Sequence, residues 1–176
     1  MYKKFIPILI LLFLFIGCSQ KYNEYAKSTD IVREQALTLT QKAVIKEGIN
    51  VKAFIVVTYI NKIDHKLVEQ DESKEKFIVS IHIQSEENKE LYEKISFSVN
   101  GEKDYIVTPL SNDAKILQIL PAVASWNKYF LVEAPKKPKT RGVSFEVFIA
   151  NYSTGNMSFH DDYGNLPFTK SNSVLK

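Results

Sequence analysis

Apolar and polar residues alternate along this chain in patterns that change period several times, and each change marks an element. Val32, Ala36, Leu39 and Ala43 are spaced four, three and four apart. That spacing lies on one face of a helix and predicts an amphipathic helix from Thr29 to about Glu47. Tyr22, Tyr25 and Thr29 extend the spacing backwards, and Gly48 suits the helix end because it tolerates the left-handed conformation. Val51–Ile60 then runs almost continuously apolar and β-branched, which predicts a central strand covered on both faces. In Phe77–Gln84 the period falls to two. Phe77, Val79, Ile81 and Ile83 form one face and Ile78, Ser80, His82 and Gln84 the other, so one core side and one mostly wet side are expected.

The later segments read the same way. Ile95–Val99 alternates cleanly, and Asn100-Gly101 is a hairpin signal that would lead into a strand over Asp104–Thr108, ended by Pro109. Ser111, Asn112 and Asp113 offer caps for a short helix over Ala114–Leu120, stopped at Pro121. Trp126–Val132 and Val143–Ala150 predict two further strands, the latter with Val143, Phe145, Val147 and Ile149 inward. Met157–Phe159 adds an edge strand, and from Asn165 on the chain reads as extended. Together these elements predict an α+β, mostly β fold. It is an antiparallel β-sandwich or rolled sheet of six to seven strands with an N-terminal amphipathic helix. Enrichment in Ile, Val, Phe and Tyr supports strands over much of the body.

The beginning of the chain follows another rule. Lys3 and Lys4 precede an apolar run, Phe5 to Ile16, closed by Gly17-Cys18. A cationic start, a short apolar middle and a small residue at the end make a secretory signal pattern. The run is shorter than the roughly 20 residues a spanning helix needs. Phe15-Ile16-Gly17-Cys18 resembles the lipobox of bacterial lipoproteins, with Phe15 standing where leucine is usual. The resemblance implies cleavage after Gly17 and covalent lipid, palmitate included, on Cys18. Ser19 after the cysteine resembles lipoproteins sent to the outer membrane. The implied organisation is a signal peptide over 1–17, a lipidated tether over 18–28, one β-rich domain over 29–170 and a tail over 171–176. One acyl chain holds a protein only marginally, whereas two or three hold it durably.

Composition narrows the chemistry. Loss of Lys3 and Lys4 with the leader lowers the formal charge from +3 to +1, too little for a broad drive toward nucleic acid. Cys18 is the single cysteine, which excludes an internal disulfide and every site that needs a Cys pair. The histidines are His65, His82 and His160. His160-Asp161-Asp162 is the densest cluster of potential metal ligands, without EF-hand or H-E-x-x-H spacing. No G-x-S-x-G, phosphate-cradling glycine loop or Ser-x-x-Lys pattern is present. Asp64 with Glu69, or Glu86 with Glu87, offers carboxylate pairs on loops of the kind that are usually solvated. No metal, cofactor or catalytic residue is therefore expected.

Two surfaces remain as candidates for binding. Lys136, Lys137, Lys139 and Arg141 form a basic proline-rich loop suited to anionic headgroups or a polyanion. Trp126 and Tyr129, with Phe130 and Tyr105, would line a ligand groove if they were not core. The expectation is a non-catalytic binding or scaffolding module of the cell envelope, facing the periplasm. Its partners would be the membrane, through the lipid, and another envelope protein. The alternatives are a small-ligand carrier with an apolar cavity beneath the helix, and a hydrolase or metal enzyme that needs His82 or His160 beside carboxylates.

Overall fold

The computed structural model describes residues 31–84, 86–137 and 142–160. The leader, Gly17, Cys18, the tether, Lys139, Arg141, Asp161, Asp162 and the C-terminal tail lie outside the described residues.

Residues 31–38 are helical, but the helix expected through Glu47 stops there. Thr40–Glu47 is strand β1, and it pairs antiparallel with β2, Asn50–Tyr59. The apolar positions of the predicted helix all turn inward: Val32 is half-buried, and Ala36, Leu39 and Ala43 are buried. Ala36 reaches the core from a helix, whereas Ala43 reaches it from a strand whose next inward residue is Ile45. Strand wins over the second half because Thr40, Val44 and Ile45 are β-branched and β2 supplies a ladder of partners, interrupted by one register shift after Ile45. Thr40 marks the switch. Its hydroxyl bonds the Ala36 carbonyl and lies 2.8 Å from the Thr58 hydroxyl, joining the helix end to β2. Gly48 does adopt φ +60, at the first central position of the β1–β2 turn rather than at a helix end.

The remaining strands are β3 (Lys74–Ile83), β4 (Ile95–Val99), β5 (Ile106–Leu110), β6 (Lys128–Pro135), β7 (Gly142–Ile149), β8 (Tyr152–Ser153) and β9 (Met157–His160). They form two antiparallel sheets. One has the order β1-β2-β3-β6-β5; in the other β7 lies between β4 and β8, and β9 also pairs with β7. Aromatic rings from both sheets meet in one core. Phe77 of β3 lies 4.5 Å from Phe145 of β7, Phe97 of β4 lies 6.2 Å from Phe130 of β6, and Tyr59 of β2 lies 5.9 Å from Phe159 of β9. Such offset and tilted pairs add to the stabilisation from buried area. Gln41 of β1 donates to the Ser158 carbonyl of β9, a polar tie between the sheets.

Several expectations are corrected by the pairing. Asn100 (φ 52) and Gly101 (φ 81) make the two-residue turn, with Val99 and Glu102 exchanging backbone hydrogen bonds. The strand beyond, however, does not return along β4. The Tyr105 hydroxyl accepts the Phe97 amide at 3.1 Å, and β5 crosses to the other sheet to pair with β6. β5 runs through Pro109 instead of ending there, which a proline allows because β5 is an edge strand. The expected wet face of β3 is covered over its first half: Ile78 is 1% exposed and Ser80 is buried, while His82 is half-buried and Gln84 exposed. Asn127 donates to the Ser80 hydroxyl, and Tyr129, opposite Ser80, bonds Ala124 through its own hydroxyl. The segment before β6 therefore folds back over that face. Two further elements change form. The expected short helix is a 3-10 turn, Lys115–Ile119, with no side-chain cap, and a second 3-10 stretch, Glu86–Lys94, precedes β4.

Candidate functional site

The regular ladder of β2 and β3 ends at Tyr59 and Phe77; beyond it the Ile60 amide still donates to the Lys76 carbonyl at 3.0 Å, and a side chain supplies the other half of that rung. Asn61 donates to the Lys74 carbonyl at 2.6 Å and accepts the Lys76 amide at 2.6 Å. Held by that clamp, the chain after β2 leaves the sheet and folds through residues 60–73, with Ile60, Ile63 and Val68 buried beneath. A cleft of about 400 Å³ opens here, lined by residues of this segment, the ends of β2 and β3, and the start of β7. Its walls include Tyr59, Lys62, Asp71, Glu75, Lys136 and Gly142.

Glu75 is the chemically unusual wall residue. It is 3% exposed, yet it lines the cleft. The Tyr59 hydroxyl donates to its Oε2 at 2.6 Å, a charge-assisted hydrogen bond. The neighbouring Lys76 projects to the opposite face of the strand. There its ammonium donates to the Glu69 carbonyl at 3.0 Å and lies 3.7 Å from the Glu133 carboxylate. The two adjacent buried charges thus serve different layers, as strand alternation requires. At the rim, the Ser73 hydroxyl and amide hold the Asp71 carboxyl below its usual range. Gly142 forms the far wall, where a Cβ would lie 2.8 Å from the Phe159 carbonyl; only glycine admits that approach of β7 to β9.

The residues singled out from the sequence divide. Lys136 lines the cleft and is exposed, with its amide bonded to the Ser73 carbonyl. Lys137 forms an ion pair with Glu102 at 3.0 Å. His160 lies opposite Gly142, a cleft residue, in the β7–β9 pairing. Trp126 is 69% exposed in the turn before β6, whereas Tyr129 is 2% exposed and belongs to the core, so the two do not form one groove wall. His65 accepts the Leu67 amide, and His82 stacks 6.4 Å from Phe54. Among the described residues no three His, Cys, Asp or Glu side chains converge as a metal site.

Sequence reasoning missed Glu75 and Tyr59. Its one available signal was the charged triplet Lys74-Glu75-Lys76 directly ahead of an apolar strand. In comparisons with known proteins, no family model, no curated protein and no solved structure matches this chain.

Proposed function

We propose that this chain is a lipid-anchored protein of the cell envelope, held through Cys18, whose β-sandwich is a non-catalytic binding module. Its recognition site is the cleft at Glu75. One observation carries the reading: a carboxylate almost wholly removed from bulk water, anchored by a single phenol, lines a cleft of ligand size. Concave sites of roughly 300–1,000 Å³ with a few placed polar groups are the usual form of small-ligand recognition. The cleft walls are mainly polar, which favours a polar ligand over the apolar cargo of a carrier. Among the described residues its lining holds no serine, cysteine or histidine. His82 lies against Phe54, and the residue that bonds Glu75 is a tyrosine. Among the described residues no helix is long and apolar enough to cross a membrane; in this reading the lipid on Cys18 supplies the attachment.

Two measurements test the reading. In the native host, Cys18→Ser abolishes incorporation of labelled palmitate and moves the protein out of the membrane fraction; retention of both would overturn the anchor. A photo-crosslinking residue placed at Lys136 captures a ligand or partner in intact cells, whereas one at Lys42 on β1 does not. Equal capture, or none, at the two positions would remove the cleft as the recognition site.

A further inference from the structure

The β1–β2 hairpin ends on an apolar residue that the fold leaves bare. Gly48 and Ile49 form its two-residue turn, and Ile49 is 95% exposed. One exposed apolar side chain is ordinary, whereas several at one place mark a contact surface. Trp126, also exposed, precedes β6 at the end of the sheet where β2 begins and β3 finishes. Phe54, on the part of β2 that leads from the tip, is exposed as well. Lysines stand beside these residues. Residues 46–52 read Lys-Glu-Gly-Ile-Asn-Val-Lys, and Lys128 follows Trp126 by two positions. Lys46 is exposed, and Lys52 shares its charge with Glu47. Apolar anchors with long cationic side chains at their shoulders suit a bilayer interface, where tryptophan sits at headgroup level and lysines reach lipid phosphates. A second copy is poorly served by the outer strands of this sheet. β1 has a register shift after Ile45 and exposed Lys42 and Lys46, and β5 carries Pro109, features that discourage pairing between edges.

Given the anchor at Cys18, we infer that the hairpin tip and Trp126 dock on an anionic bilayer surface, with the cleft at the far end of the sandwich. From Cys18 through Asp30 the chain has 13 residues, a reach of at most about 45 Å, whereas a strand of ten residues such as β2 spans roughly 33 Å. Either end of the sandwich is therefore within reach of the membrane, and the surface of each end decides which one meets it. The opposite end, where β2 finishes at Tyr59, presents Gln70, Asp71 and Glu72 at the cleft. Docking by the hairpin leaves that cleft open to a partner on the side away from the bilayer.

Trp126 is the single tryptophan, so its fluorescence reports the contact directly. The lipidated chain is reconstituted into vesicles of phosphatidylcholine and phosphatidylglycerol in equal parts, with and without bromine on the acyl chains. Emission is expected to shift to the blue and to lose intensity to the brominated lipid. Ile49→Ser alters a side chain already in water, so the fold is expected to stand while both signals weaken. Ile106→Ser, exposed at the opposite end, is expected to leave them unchanged. Unshifted and unquenched emission from a chain that floats with the vesicles overturns the docking and leaves the anchor intact. A chain that does not float overturns both. Equal effects of the two substitutions, or an equal response in phosphatidylcholine alone, overturn the docking on anionic lipid. So does a blue shift without lipid that grows with protein concentration, which would place a second copy on this surface.

Discussion

Single residues carry the polar ties of this fold, and the most testable joins the two sheets at the β1–β2 turn. The Lys52 ammonium sits 2.9 Å from Glu47, and the Tyr152 hydroxyl of β8 donates to Glu47 at 2.6 Å. Lys52 first, then Tyr152, holds the Glu47 carboxyl below its usual range. The same carboxylate raises Lys52 and Tyr152 above theirs. The depressed acid contributes stability above the unfolded carboxylate value, roughly pH 4, and loses it as pH falls through the lower folded value. The raised base and phenol contribute below about pH 10 and lose it as pH rises through their folded values. The stability difference between the unaltered chain and Glu47→Gln should therefore be flat near neutrality and shrink at both extremes. Urea midpoints measured across pH check this, and a difference that grows toward acid would refute it. Residue identity at this scale is only partly legible in advance. Glu47 looked like an exposed helix residue, and nothing local announced Tyr152 as its partner more than 100 positions later.

Among the elements, those with strict alternation were readable and those judged by a few apolar positions were not. β7 runs as its sequence predicts, with Val143, Phe145, Val147 and Ile149 buried, and β9 pairs beside it as the expected edge strand. β1 was misread because a four-three-four spacing over four residues fits a helix, while the same stretch also places Ala43 and Ile45 on one side of a strand. β5 lies two residues beyond the predicted span and has another neighbour than expected, since an Asn-Gly turn specifies local geometry and not the path after it. The close approach of β7 and β9 yields a prediction at this scale. Gly142→Ala places a methyl 2.8 Å from the Phe159 carbonyl and is expected to destabilise by about 1–3 kcal/mol. Faster amide exchange in β9 than in β1 would localise the damage, and an unchanged urea midpoint would show that the strands separate without cost.

For the molecule as a whole, the rings of Phe77, Phe97 and Phe145 make one core from two sheets. Phe77 is fully buried and touches the rings of Tyr59, Phe145 and Phe159, which come from both layers. Phe77→Ala is expected to cost about 3–5 kcal/mol while leaving a single cooperative transition, because neither sheet buries its inner face without the other. Far-UV and near-UV dichroism that melt separately would show two independent units instead. The cleft exists only at this scale. Tyr59, Asp71 with Glu75, and Lys136 with Gly142 come from three separate stretches of the chain and meet at the cleft.

The sequence by itself determined the local matters: where most strands run, which side of β7 faces inward, and the Asn100-Gly101 turn. Each of these depends on neighbours within a few residues, whose periodicity and backbone preferences are written in order. Only the tertiary structure decided that residues 40–47 extend, that Ile78 and Ser80 on the second face of β3 are covered, that β5 changes sheet, and that a buried glutamate meets a tyrosine at a cleft. Those outcomes are set by which distant strand offers the better partner and by which surfaces remain to be covered. Spacing along a single chain does not encode that competition.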